Sequence, residues 1–140
     1  MTPEEIEIAR EMADHPDWTW STAVLVRHRT LYDVLWTRIG EDGLTLSLRM
    51  SDLMDDPIPD LDDPATQGVV LAQVRERLEW RHAHVVPVSA GGEPGSRDWA
   101  ADYWSVSRSW EDVWAMTNAP TGPTYGAALG RAWLASREKP

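Results

Sequence analysis

Apolar positions along this chain change their spacing repeatedly, and the changes mark its elements. Near the start Ile6, Ala9, Met12 and Ala13 recur at helical spacing. Thr2 is a ready cap for this helix, Pro3 suits the first helical position, and Glu5 stands three residues after Thr2 as in a capping box. Pro16 disfavours helical geometry at the residue before it, so the helix should stop by His15. From Trp18 the period shortens to two. Residues 23–29 and 32–39 read as strands, and Leu44, Leu46 and Leu48 fall on one face of a third. Residues 40–43, Gly-Glu-Asp-Gly, are the turn between the second and third. Together these predict an antiparallel meander.

Residues 52–63 hold six Asp and two Pro and read as an acidic loop rather than a regular element. A second helix begins where the loop ends: Asp63 is a good cap, Pro64 a good first residue, and Val70, Leu71, Val74 and Leu78 make a helical stripe. Alternation returns over 82–88 and 101–108, with a glycine-rich loop at 90–96 between them and a further strand at 110–116. Residues 118–123 form a Pro/Gly connector. Thr124 then caps a last helix running to about Ser136, with Tyr125, Leu129, Ala132 and Trp133 as its buried stripe. The predicted class is a single α+β domain over 1–140, in the order α-βββ-α-βββ-α. Its antiparallel strands should pack against about three helices, the second and third foremost.

Composition narrows what such a domain can do. Nine Trp with no Phe make indoles the main source of large aromatic volume, and each buried indole N–H wants a partner, which favours placing some Trp at a surface or groove. The lack of Cys excludes disulfides, thiolate zinc sites and a Cys nucleophile. No apolar run approaches the roughly 18 residues of a membrane span, and the first 17 residues are too charged for a signal peptide, so the expected location is the cytoplasm, away from membranes. A net charge of −10 argues against direct nucleic-acid binding through a basic face and leaves open a basic protein as partner.

Three stretches carry a resemblance. The first is Ile8-Ala9, Met12-Ala13, His15-Pro16, Trp18 and Trp20. The second is Pro59-Asp60-Leu61-Asp62-Asp63-Pro64-Ala65-Thr66 followed by Gly68, Leu71 and Val74-Arg75-Glu76, and the third is Gly122-Pro123-Thr124 with Ala128-Leu129 and Ala132. In order and spacing they resemble small proteins encoded by tailed phages and prophages of GC-rich bacteria, over about a third of the chain. That group usually has an acidic residue after the last helix's Thr, where this chain has Tyr125-Gly126. The resemblance implies a phage accessory protein and brings no catalytic residues with it.

Among the residues themselves, Asp55, Asp56, Asp60 and Asp62 offer an acidic surface to a basic partner. Trp99, Trp104 and Trp110 with Arg108 offer aromatic and cationic groups that either fill the core or form a binding surface, where they would stack a base or anchor an interface. His82 and His84 share a strand face as a metal site needs, but a third ligand is missing, and no metal or other cofactor is expected. The acidic loop lacks the EF-hand ligand pattern. No Ser sits in a nucleophile elbow and no glycine-rich phosphate loop exists, so no catalytic residue is assigned. The first expectation for function is a non-catalytic phage inhibitor of a host defence protein, acting in the host cytoplasm. A sponge for a small nucleotide signal, with pockets between protomers of a homo-oligomer, comes second. A virion or assembly component is third and a hydrolase fourth.

Overall fold

Capping bonds between near neighbours fix where the helices start. In the computed structural model, which describes residues 1–29, 33–40, 57–78, 81–88, 103–107 and 120–137, helix α1 spans Pro3–Asp14. The Glu5 N–H donates to Thr2 Oγ1 at 3.2 Å and the Thr2 N–H donates to Glu5 Oε1 at 3.0 Å, the reciprocal pairing that satisfies two otherwise orphaned donors. The helix ends at the cap His15, ahead of Pro16. Its buried positions are Glu5, Ile8, Ala9 and Met12, while Ile6 and Ala13 are half-buried. The stripe is therefore rotated from the expected one, because Ile8 and the cap-bound Glu5 take the inner face.

Helix α2 spans Pro64–Leu78 and α3 spans Tyr125–Arg137. Asp63 Oδ2 accepts from the Thr66 N–H at 2.9 Å, and Thr124 Oγ1 accepts from the Ala127 N–H at 3.1 Å. Both caps are the ones the sequence marks.

Strands β1 Leu25–Arg29, β2 Val34–Arg38 and β3 Ile58–Pro59 form one antiparallel sheet in the order β2-β1-β3. Val26 stands opposite Thr37 on one side and Pro59 on the other. Strands β4 His84–Val88, β5 Tyr103–Ser107 and β6 Thr121–Gly122 form the second in the order β4-β5-β6, with Trp104 opposite Pro87 and Gly122. Among the described residues the chain is thus a mixed α+β fold with three helices, two three-stranded antiparallel sheets and the order α-βββ-α-βββ-α.

The third strand of each sheet departs from expectation. Residues 52–63 are not loop throughout, because Ile58 and Pro59 are both buried and pair with β1. Pro59 has no N–H to donate, so it fits a sheet only at an edge, where β3 lies. The connector at 118–123 likewise contains β6. Gly122 allows this, since a Cβ there would come within 2.6 Å of the Ala128 backbone nitrogen. The strands expected at 44–48 and 110–116, and the loop at 90–96, lie outside the described residues. The second half's first strand begins at His84 rather than His82.

By its contacts the chain divides into two units, Met1–Val70 and Leu71–Pro140, with the boundary inside α2. In the first unit α1 packs on β3, and Met12, Val24, Val26 and Leu61 are fully buried. The helix seated on this sheet is α1 rather than α2, which reaches β1 through a hydrogen bond from the Leu25 N–H to Thr66 Oγ1 at 2.8 Å. Arg38 ties the same corner together, donating to the Ala23 carbonyl at 2.9 Å and to both Asp63 oxygens at 2.8 Å. Ala23 has φ 76, a left-handed conformation that an L-residue adopts only when its surroundings hold it. In the second unit α3 packs on β4, β5 and β6 around Leu129, Val106 and Trp133. Trp133 is fully buried and its indole N–H donates to Gln73 Oε1 at 2.8 Å, which answers the need of a buried indole.

Candidate functional site

Strand alternation in β1 separates two sets of side chains. Val26 and His28 are buried at 0% and 6% exposure, while Arg27 and Arg29 belong to the opposite face. Arg27 stands across from Trp36 of β2 and from Ile58 of β3, and Arg29 across from Val34. Helix α1 contributes Ile6 and Arg10, one turn apart and so on one side of the helix. Together with Arg27, His28, Arg29, Val34 and Ile58 they line a cavity of about 350 Å³ in the first unit. Its volume lies at the small end of ligand pockets.

Ile6, Val34 and Ile58 are the apolar lining of this cavity, and Arg10, Arg27 and Arg29 the cationic lining. Among the described residues, none of the three arginines makes an ion pair or hydrogen bond within the protein. His28 is held by Thr37, whose Oγ1 lies 3.0 Å from Nε2. Three arginines lining one concavity run against the chain's net charge of −10. Their forked donors match the oxygens of phosphate or carboxylate, and a cavity wall strengthens the attraction by excluding water. Chemically, the arrangement can hold a small anion.

The acidic residues are engaged differently. Asp60 is buried at 9% exposure, and its Oδ1 accepts from the Asp62 N–H at 3.0 Å, closing the turn that leads into α2. Asp62 is 53% exposed and pairs with the Met1 amino group at 2.9 Å. Glu5 is 1% exposed, and burial first, then the neighbouring Asp62 carboxylate, raises its carboxyl above the usual glutamate range. Asp62 is lowered by its neighbour Glu5 and by the amino group, and the amino group is in turn raised by Asp62. Asp63 is held far below the carboxylate range, first by Arg38 and then by the Thr66 bonds. Asp55 and Asp56 lie outside the described residues.

Of the aromatic group only Trp104 is described. It is half-buried in β5, with its ring edge-on to Tyr125 at 5.6 Å; Trp99, Arg108 and Trp110 lie outside the described residues. His82 is exposed in a turn ahead of β4, and its carbonyl oxygen lies 2.9 Å from His84 Nδ1. The two imidazoles therefore do not share a strand face. Among the described residues no three His, Cys, Asp or Glu side chains come together as a metal would require.

Sequence reasoning did not find Arg10, Arg27, Arg29 or His28. The one local signal was Arg27-His28-Arg29 within an alternating segment of an acidic chain, since alternation sends both arginines to one face. No family model matches the chain, and no curated protein or solved structure matches it either.

Proposed function

We propose that this chain is a non-catalytic binding protein that captures a small anionic ligand in the pocket formed by Arg10, Arg27 and Arg29. The observation that carries it is that three arginines without an internal ion pair or hydrogen bond among the described residues line one cavity of about 350 Å³ in an otherwise acidic chain. On this reading the protein acts by sequestration, as a sponge within a phage-infected host, and needs no reactive group. Presenting carboxylates to a basic host protein is less favoured, because Asp60 and Asp62 are occupied by the turn and by the Met1 amino group.

Calorimetric titration with pyrophosphate tests it. The wild type should bind, with affinity falling as salt rises, because the attraction is electrostatic. A hydrogen bond to a charged group is worth about 1.5–3 kcal/mol, so Arg27→Ala or Arg29→Ala should weaken binding by about tenfold or more. Pyrophosphate binding of equal strength in wild type and both variants would refute the assignment.

A further inference from the structure

The pocket has an aromatic neighbour on the same sheet face. Trp36 is 54% exposed, the most exposed large apolar side chain among the described residues. It stands directly opposite Arg27 in the β1–β2 register, and so on the same face as Arg27, Arg29 and Val34. Directly opposed residues in an antiparallel pair have Cβ atoms about 4.5–5.5 Å apart. An indole is thus placed at the cationic rim, within the span of one small molecule. Its exposed ring offers a flat aromatic face beside the arginines.

Resting on the anion-capture reading, we infer that the ligand is a free nucleotide, its phosphates held by Arg10, Arg27 and Arg29 and its base stacked on Trp36. Each part of the ligand meets the chemistry it needs. Phosphate oxygens take forked guanidinium donors, and a base takes a flat aromatic face, which accepts any base because every base has a π-face. The chain's net charge of −10 favours a free nucleotide over a strand of nucleic acid, because it repels a polyanion.

Titrating ADP, pyrophosphate and a ten-residue thymidine oligonucleotide into the wild type, Trp36→Ala, Trp36→Phe and the Arg27→Ala/Arg29→Ala double variant separates the parts. The wild type should bind ADP more tightly than pyrophosphate. Trp36→Ala should weaken ADP by roughly 5- to 150-fold, the range for one stacked base, and leave pyrophosphate within about twofold. Trp36→Phe should recover most of the ADP affinity, and the double arginine variant should lose both ligands. If Trp36→Ala binds ADP as the wild type does while pyrophosphate still needs the arginines, the nucleotide inference fails and anion capture stands. If the wild type binds neither ligand, anion capture fails and takes the inference with it. An oligonucleotide bound more tightly than ADP would overturn the free-nucleotide assignment.

Discussion

Replacing Asp63 with Ala removes the residue on which several bonds of the first unit converge. Its carboxylate caps α2 through the Thr66 N–H, accepts the Thr66 hydroxyl at 2.9 Å and receives both Arg38 donors at 2.8 Å. Thr66 is fully buried and its oxygen accepts the Leu25 N–H, so the network reaches into β1. Loss of an N-cap costs about 0.5–2 kcal/mol. The Arg38 pair adds little, because the Arg38 side chain is 47% exposed and water screens it. The expected loss is therefore about 0.5–2 kcal/mol. With a urea slope of about 1–3 kcal/mol/M, the unfolding midpoint should drop by about 0.5 M. Asp63→Asn keeps a capping oxygen and should lose only the ion-pair part. Thr66→Val strands the Leu25 N–H in the interior at about 1–3 kcal/mol, and its effect should not add to that of Asp63→Ala, since the two share a bond. An Asp63→Ala midpoint indistinguishable from wild type, or strict additivity with Thr66→Val, would show that this network does not hold the corner.

Acid should act on two opposed groups. Asp62 and Asp63 titrate below the ordinary carboxylate range, so their contribution is complete above the unfolded pKa of about 3.9 and fades as pH falls through their lowered values. Glu5 titrates above its ordinary value, so its contribution is complete at low pH and fades as pH rises through the raised value. Thermal melts should show a gain on mild acidification from neutral pH and a loss below about pH 4; Glu5→Gln should abolish the mild-acid gain alone. The same substitution at two glycines should act in opposite directions. Gly68 is an exposed position of α2 with open space around a Cβ, so Gly68→Ala should stabilise by about 0.5–1 kcal/mol, whereas Gly122→Ala drives a methyl into the α3 backbone and should cost about 1–3 kcal/mol by denaturant titration.

What could be read from the chain depended on how far apart the interacting residues lie. The starts of all three helices were legible because Thr2 with Glu5, Asp63 with Thr66 and Thr124 with Ala127 bond across three residues. The order of helices and strands followed from the shifts in hydrophobic period. Strands β3 and β6 escaped because two residues carry no period, and their pairing with β1 and β5 is settled by distant parts of the chain. The burial of Glu5 ran against its charge, and the Asp62 carboxyl that neighbours it lies far along the chain. The pocket was hidden for the same reason: it joins positions 6 and 10 of a helix to 27–29 of one strand and 58 of another. Composition directed attention to the acidic loop and the Trp group, whereas the cationic concavity is built from a minority charge.

Anion capture in the first unit is tested most directly by following the backbone amide resonances of the full chain as pyrophosphate is added. The account predicts shifts concentrated at Ile6, Arg10, Arg27, His28, Arg29 and Ile58, with the amides of β4 and α3 unmoved. Shifts centred on β5 around Trp104, or none at pyrophosphate concentrations far above physiological phosphate, would contradict it.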